Sequence, residues 1–89
     1  MRQRLLETAQ DVQMREIVTC LYRDHPQGVS FDGIKEILFL HDAFEEAQLT
    51  SLVGQKILVF DGKRYKVAAD ARLVLDRDAT ILMDEFLRG

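Results

Sequence analysis

The chain has 89 residues, 47% of them hydrophobic and 30% charged, enough for one domain around one core and unlike a disordered polar chain. Its longest apolar runs, such as Ile57-Leu58-Val59-Phe60, are far too short to cross a bilayer, and Met1-Arg2-Gln3-Arg4 leads into no signal-peptide-like apolar stretch, so a cytoplasmic protein without a membrane partner is expected. A formal charge of −3 is the wrong sign for holding DNA by overall phosphate neutralisation and leaves only a local basic patch for that task.

The first segment, over 4–24, has the spacing of a helix: Leu5, Ala9 and Val12, then Ile17, Cys20 and Leu21, recur at intervals of three and four. Thr8 or Asp11 could interrupt it by capping a second helix. Pro26 ends the segment, because the residue before a proline is pushed out of the helical region, and Gln27-Gly28 completes a turn. Cys20 has no second cysteine to pair with and reads as a small buried apolar side chain. His25 and His41 read as loop residues, with neither a nucleophile to serve nor a metal-ligand spacing.

A short second helix is predicted to start at Ser30, whose hydroxyl can accept an orphan backbone N–H; Asp32 suits its first turn and Ile34, Ile37 and Leu38 form its inner stripe. Asp42 followed three residues later by Glu45 predicts the capped start of a third helix running to Val53, with Leu49, Leu52 and Val53 inward and Gly54 as its stop. The period then changes. Lys56-Ile57-Leu58-Val59-Phe60 and Arg64-Tyr65-Lys66-Val67 are extended runs around Asp61-Gly62, a strong hairpin signal. A two-residue loop would pair Leu58 with Tyr65. A four-residue loop pairs Phe60 with Tyr65 and Leu58 with Val67, and is favoured because it gathers these side chains on one face. Over 69–87 a helical pattern returns, with Ala71, Leu75, Ala79, Leu82 and Phe86 on one stripe and Leu73, Val74 and Ile81 flanking it.

The expected fold is therefore mainly α with a small β-hairpin. Long helix, short helix, tight turn, third helix and a hairpin carrying Asp-Gly form an order that resembles the winged helix-turn-helix superfamily, here with an additional C-terminal helix. The likeness runs from Ile17 to Val67, over 30–67 for the helix-turn-helix and wing. It is carried chiefly by Leu49-x-x-Leu52-x-x-x-Lys56-Ile57-Leu58-Val59-Phe60-Asp61-Gly62-Lys63-Arg64-Tyr65. Lys56 stands where that pattern usually has glycine. The length predicts a single domain over 1–89, and the resemblance implies that its third helix enters a DNA groove while the wing touches phosphates through Lys63, Arg64 and Lys66, with Lys56 beside them.

Two functional readings follow. One is a DNA-associated, transcription-regulator-like module that grips double-stranded DNA by the wing. The other is a protein-interaction module that uses the same platform without DNA. Stepping about 100° per residue from Leu49, the outward arc of the third helix holds Ala43, Glu46, Ala47, Thr50, Ser51 and Gly54, a small and nearly neutral face suited to a protein partner. The side chains that commonly read bases are Arg, Lys, Asn and Gln; only Gln48 and Gln55 come near, at the flank of the arc. Surplus apolar residues of the C-terminal segment (Leu73, Val74, Ile81, Met83, Phe86 and Leu87) predict a homodimer interface. No glycine-rich phosphate loop or acid–base constellation is present, so neither enzyme activity nor a cofactor or metal is expected.

Overall fold

Asp11 divides the N-terminal helical stretch in two. A computed structural model of the chain, describing residues 1–39 and 44–82, has helix α1 at Arg2–Ala9 and helix α2 at Val12–Arg23. Asp11 is extended, and its carboxylate accepts the Met14 N–H at 3.1 Å, satisfying one of the orphan donors of the new helix. The Arg15 guanidinium donates to the Ala9 carbonyl at 2.9 Å across the break. The interruption shifts the helical phase, so Leu5, Ala9, Ile17, Cys20 and Leu21 are buried as their spacing predicts while Val12 is left exposed at the start of α2.

Helix α3 spans Phe31–Ile37 and starts as expected from Ser30, whose Oγ accepts the Gly33 N–H at 3.1 Å. Gly33 leaves room for Val29: a Cβ there would stand 2.6 Å from Val29 Cγ1 and force that side chain to shift. Ile34 is buried, whereas Ile37, the last residue of the helix, faces solvent.

Helix α4 is Glu46–Gly54. It starts four residues after Asp42, which lies with His41 and Ala43 outside the described residues. The reciprocal cap sits one turn later than the sequence suggests: Glu45 is the N-cap, and Gln48 turns its Oε1 back to accept the Glu45 N–H at 3.1 Å. At the other end the left-handed residue is not Gly54 but Lys56, with φ 64°. Lys56 N–H donates to Val53 O at 2.9 Å and Ile57 N–H to Leu52 O at 3.0 Å, the paired bonds of a Schellman termination. Buried Leu52 and Ile57 supply its apolar contact.

Strands β1 (Leu58–Phe60) and β2 (Tyr65–Val67) then form an antiparallel pair in the register of the four-residue loop: Leu58 with Val67, Val59 with Lys66, Phe60 with Tyr65. The free side of β2 is closed by a bridge to Val29, in which Val29 N–H donates to Tyr65 O at 2.9 Å and Tyr65 N–H to Val29 O at 2.8 Å.

The helical pattern over 69–87 does not form one continuous helix, for it breaks at Asp78. Helix α5 covers only Ala69–Arg77, and a 3-10 turn follows at Ala79–Leu82. Asp78 breaks it, at φ −147° and ψ 80°, by accepting the Thr80 N–H at 3.3 Å and the Thr80 hydroxyl; Arg2 holds the same carboxylate at 2.9 Å. A short polar side chain that can bond the backbone two residues ahead competes with the helix it sits in. The bend carries Ile81 into the core against α1, so it is 1% exposed instead of facing a second copy. Of the other residues expected at a dimer interface, Val74 is half-buried against the same core, Leu73 stays 57% exposed, and Met83, Phe86 and Leu87 lie outside the described residues. α5 is fixed to α2 by Arg72, whose guanidinium lies 4.8 Å from the Tyr22 ring centroid and donates to Tyr22 O at 3.3 Å, and by the Tyr22 hydroxyl donating to Asp76.

One core joins all of these elements, with Leu5, Ile17, Val18, Leu21, Ile34, Leu49, Ile57, Leu58, Leu75 and Ile81 fully enclosed. The chain is mainly α with a two-stranded antiparallel hairpin.

Candidate nucleic-acid interface

The hairpin is too short to stand alone, since two three-residue strands are marginal in water. Three attachments position it. Val29 bridges its inner strand. Ala68 N–H donates to Ile57 O at 2.9 Å, tying the exit of β2 to the entry of β1. The Tyr65 hydroxyl, from a ring that is 3% exposed, donates to Glu46 Oε2 on α4 at 2.5 Å. Burial first, and then the hydrogen bond to Glu46, raise the Tyr65 phenol to about 12. Phe60 stacks on Tyr65 with centroids 4.4 Å apart and remains 45% exposed.

At the tip, Gly62 takes φ 97°, and Asp61 folds inward so that Oδ1 accepts the N–H groups of Lys63 at 2.9 Å and Arg64 at 2.8 Å. Those two bonds, that of Arg64 first, hold the Asp61 carboxyl below its usual range, with the nearby charges of Arg64 and Lys66 adding to the effect. Lys63, Arg64 and Lys66 are exposed around it. Arg64 and Lys66 leave the same face of the hairpin, because a Cβ placed on Gly28 would stand 3.2 Å from the Arg64 Cβ and 3.3 Å from the Lys66 Cβ. Gly28, at φ 95°, passes beneath both stems and comes so near β2 that a Cβ would lie 3.0 Å from Tyr65 O. Lys56 is exposed at the foot of β1.

On α4 the exposed residues are Glu46, Ala47, Thr50, Ser51 and Gly54. Thr50 Oγ1 donates to its own helix at Glu46 O. Gln48 is half-buried, its carbonyl taken by the Glu45 N–H and its amide donating to Gln13 at 3.5 Å. Gln55 donates from its amide to Ser51 Oγ at 3.3 Å, and its backbone carbonyl accepts from Arg4 at 3.2 Å. A groove runs beside this face, lined by Glu7, Thr8, Asp11 and Met14 from the α1–α2 elbow and by Gln48, Ser51, Leu52 and Gln55 from α4.

The structure thus brings Arg64 and Lys66 together, with Lys63 at the tip, and ties Glu46 of the third-helix set to Tyr65 at the loop end of β2. It leaves Lys56, Gln48 and Gln55 on the α4 side. Ala43 lies outside the described residues. Gly28 and the Tyr65–Glu46 bond were not singled out from the sequence. A glycine two residues after Pro26 signals a turn, but the strand it passes beneath is 37 positions away in the chain, and nothing local marks it.

Elsewhere, Cys20 is buried, and desolvation followed by the charge of Asp24 pushes its thiol upward, away from the nucleophilic thiolate. Among the described residues no group of three His, Cys, Asp or Glu side chains is arranged to hold a metal ion, and no helix is long and apolar enough to cross a membrane. Compared with protein-family models, with curated proteins and with solved structures, the chain matches none.

Proposed function

We propose that this chain is a non-catalytic winged-helix binding module that associates with double-stranded DNA, in the manner of a transcription regulator, through its hairpin. The order α2, α3, α4 and β1–β2, flanked by α1 and α5, supports the winged-helix reading. The observation that carries the DNA reading is the exposed set Lys63, Arg64 and Lys66, on a hairpin whose only tip carboxylate is folded onto its own backbone. Neutralising about three phosphates gives a slope near −2.7 for log K against log salt, and binding in the range of about 10⁻⁴–10⁻⁶ M typical of backbone contacts. A duplex titration by fluorescence anisotropy at two salt concentrations tests this. Salt-sensitive binding that is lost in the charge-reversal variant K63E/R64E is the expected result, and binding indifferent to that variant counts against it.

A second reading, a protein-interaction module, is favoured by the flat α4 face of Ala47, Thr50 and Ser51 and by the exposed Val59 and Phe60 on the hairpin. A defined protein partner released by Ala47→Arg and unaffected by K63E/R64E would select it.

A further inference from the structure

Resting on the DNA reading above, we infer that the hairpin holds duplex DNA without regard to base sequence, because the α4 face beside it is closed to the groove. Direct base reading needs long donors and acceptors free to reach base edges. Of the residues α4 exposes, Ala47, Thr50, Ser51 and Gly54 are too short to reach far, Thr50 is turned back onto the Glu46 carbonyl, and the carboxylate of Glu46 accepts the Tyr65 hydroxyl. Of the two amides that could read adenine, Gln48 is held between the Glu45 N–H and Gln13, and Gln55, on the surface, donates to Ser51 of its own helix.

Charge acts in the same direction. Glu45 and Glu46 are exposed at the start of α4, and Glu7 and Asp11 are exposed along the groove on its other side. A duplex seated with α4 in its major groove would bring phosphates up to four carboxylates. At a Debye length of about 8 Å in physiological salt, that repulsion acts on the phosphates that come nearest each carboxylate. Arg4 and Lys56 stand only at the C-terminal end of α4, whereas on the hairpin Arg64 and Lys66 emerge side by side over Gly28. Phosphate contacts position a protein and carry no sequence information, so a grip made by this set alone distinguishes duplex from other polymers by charge spacing and not by base.

The test uses the full chain with a pool of duplexes of randomised sequence, followed by titration of two unrelated duplexes of equal length at about 50 and about 200 mM salt. Expected are no enriched motif after selection, affinities for the two duplexes within about twofold, and a parallel fall of both with salt and in K63E/R64E. A selected motif bound more than about tenfold tighter than the unselected pool would overturn sequence independence while leaving the DNA reading intact. Failure of every duplex to bind at low salt would overturn the DNA reading itself, and this inference with it.

Discussion

Replacing Lys56 by glycine should make the fold more stable than replacing it by alanine, and the difference isolates a backbone effect. Lys56 is the left-handed residue that terminates α4, at φ 64°. A residue with a Cβ held there costs about 1–2 kcal/mol relative to the right-handed region. Glycine avoids that cost but gives back about 0.4–1 kcal/mol through the greater freedom it confers on the unfolded chain. Both substitutions also remove a cation from a helix C-terminus, a loss of about 0.3–1 kcal/mol. That shared loss cancels when the two variants are compared, leaving Lys56→Gly ahead of Lys56→Ala by about 1 kcal/mol, or roughly 4–8 °C in Tm for a domain of this size. Thermal and urea unfolding followed by circular dichroism measure it, with an unchanged urea slope showing that the unfolded state is comparable. Gly54, one residue before the C-cap, is the internal control of opposite sign. It is helical with open space where a Cβ would go, so Gly54→Ala should add up to about 0.8 kcal/mol. If Lys56→Ala equals or exceeds Lys56→Gly, the left-handed termination at residue 56 is wrong and the turn between α4 and β1 has to be redrawn.

Gly28→Ala should cost about 2 kcal/mol in unfolding experiments, more than Gly62→Ala at about 1 kcal/mol; both have positive φ, but only at Gly28 would the Cβ also meet β2. Ile81→Ala should cost about 2–5 kcal/mol at every protein concentration; a loss that shrinks as the protein is diluted would return Ile81 to an intermolecular interface. Alkaline unfolding should be sensitive to Tyr65, whose phenol titrates at about 12 in the fold against an ordinary 10. The stability that comes from the neutral phenol is complete below pH 10 and is lost as pH rises through 12. Tyr65→Phe should remove that part of the alkaline loss, and an unaltered pH profile would show that burial and the bond to Glu46 do not together hold the phenol neutral.

The features legible in the sequence are those with a local cause. Ser30 caps α3 because its hydroxyl sits three residues before an orphan N–H. Asp61-Gly62 marks the hairpin turn, whose four-residue loop pairs apolar with apolar, Phe60 with Tyr65 and Leu58 with Val67, where a two-residue loop would set Phe60 opposite Lys63. The departure of Lys56 from the usual glycine was also visible, and it coincides with the positive φ at that position. What escaped needed a choice between competing caps. Asp42 and Glu45 both lie before an apolar run; Glu45 prevails where Gln48 can reciprocate. Asp78 sits within a convincing helical stripe, yet its bonds to Thr80 and Arg2 outweigh one more helical turn and turn Ile81 inward. Periodicity counts apolar positions and is blind to a polar residue that leaves the ladder. The candidate site divides the same way: the cations could be read from the sequence, whereas Gly28 and Glu46 meet the hairpin only through the fold.

The attachments of the hairpin determine which of its residues can be changed without disturbing the fold. Val29, Tyr65 and Ala68 hold it through backbone bonds and a buried ring, and Leu58 and Val67 bury their side chains in the core. None of these attachments uses the side chain of Lys63, Arg64 or Lys66, each of which is exposed. Exposed substitutions away from caps and special backbone positions shift stability by only about 0.5 kcal/mol, so reversing these charges should alter the surface potential and leave the hairpin in place. Lys56 differs, because its backbone terminates α4, and a charge reversal there would mix strain with electrostatics. Lys63, Arg64 and Lys66 are therefore where a change in duplex binding can be read as a change in contact rather than in fold.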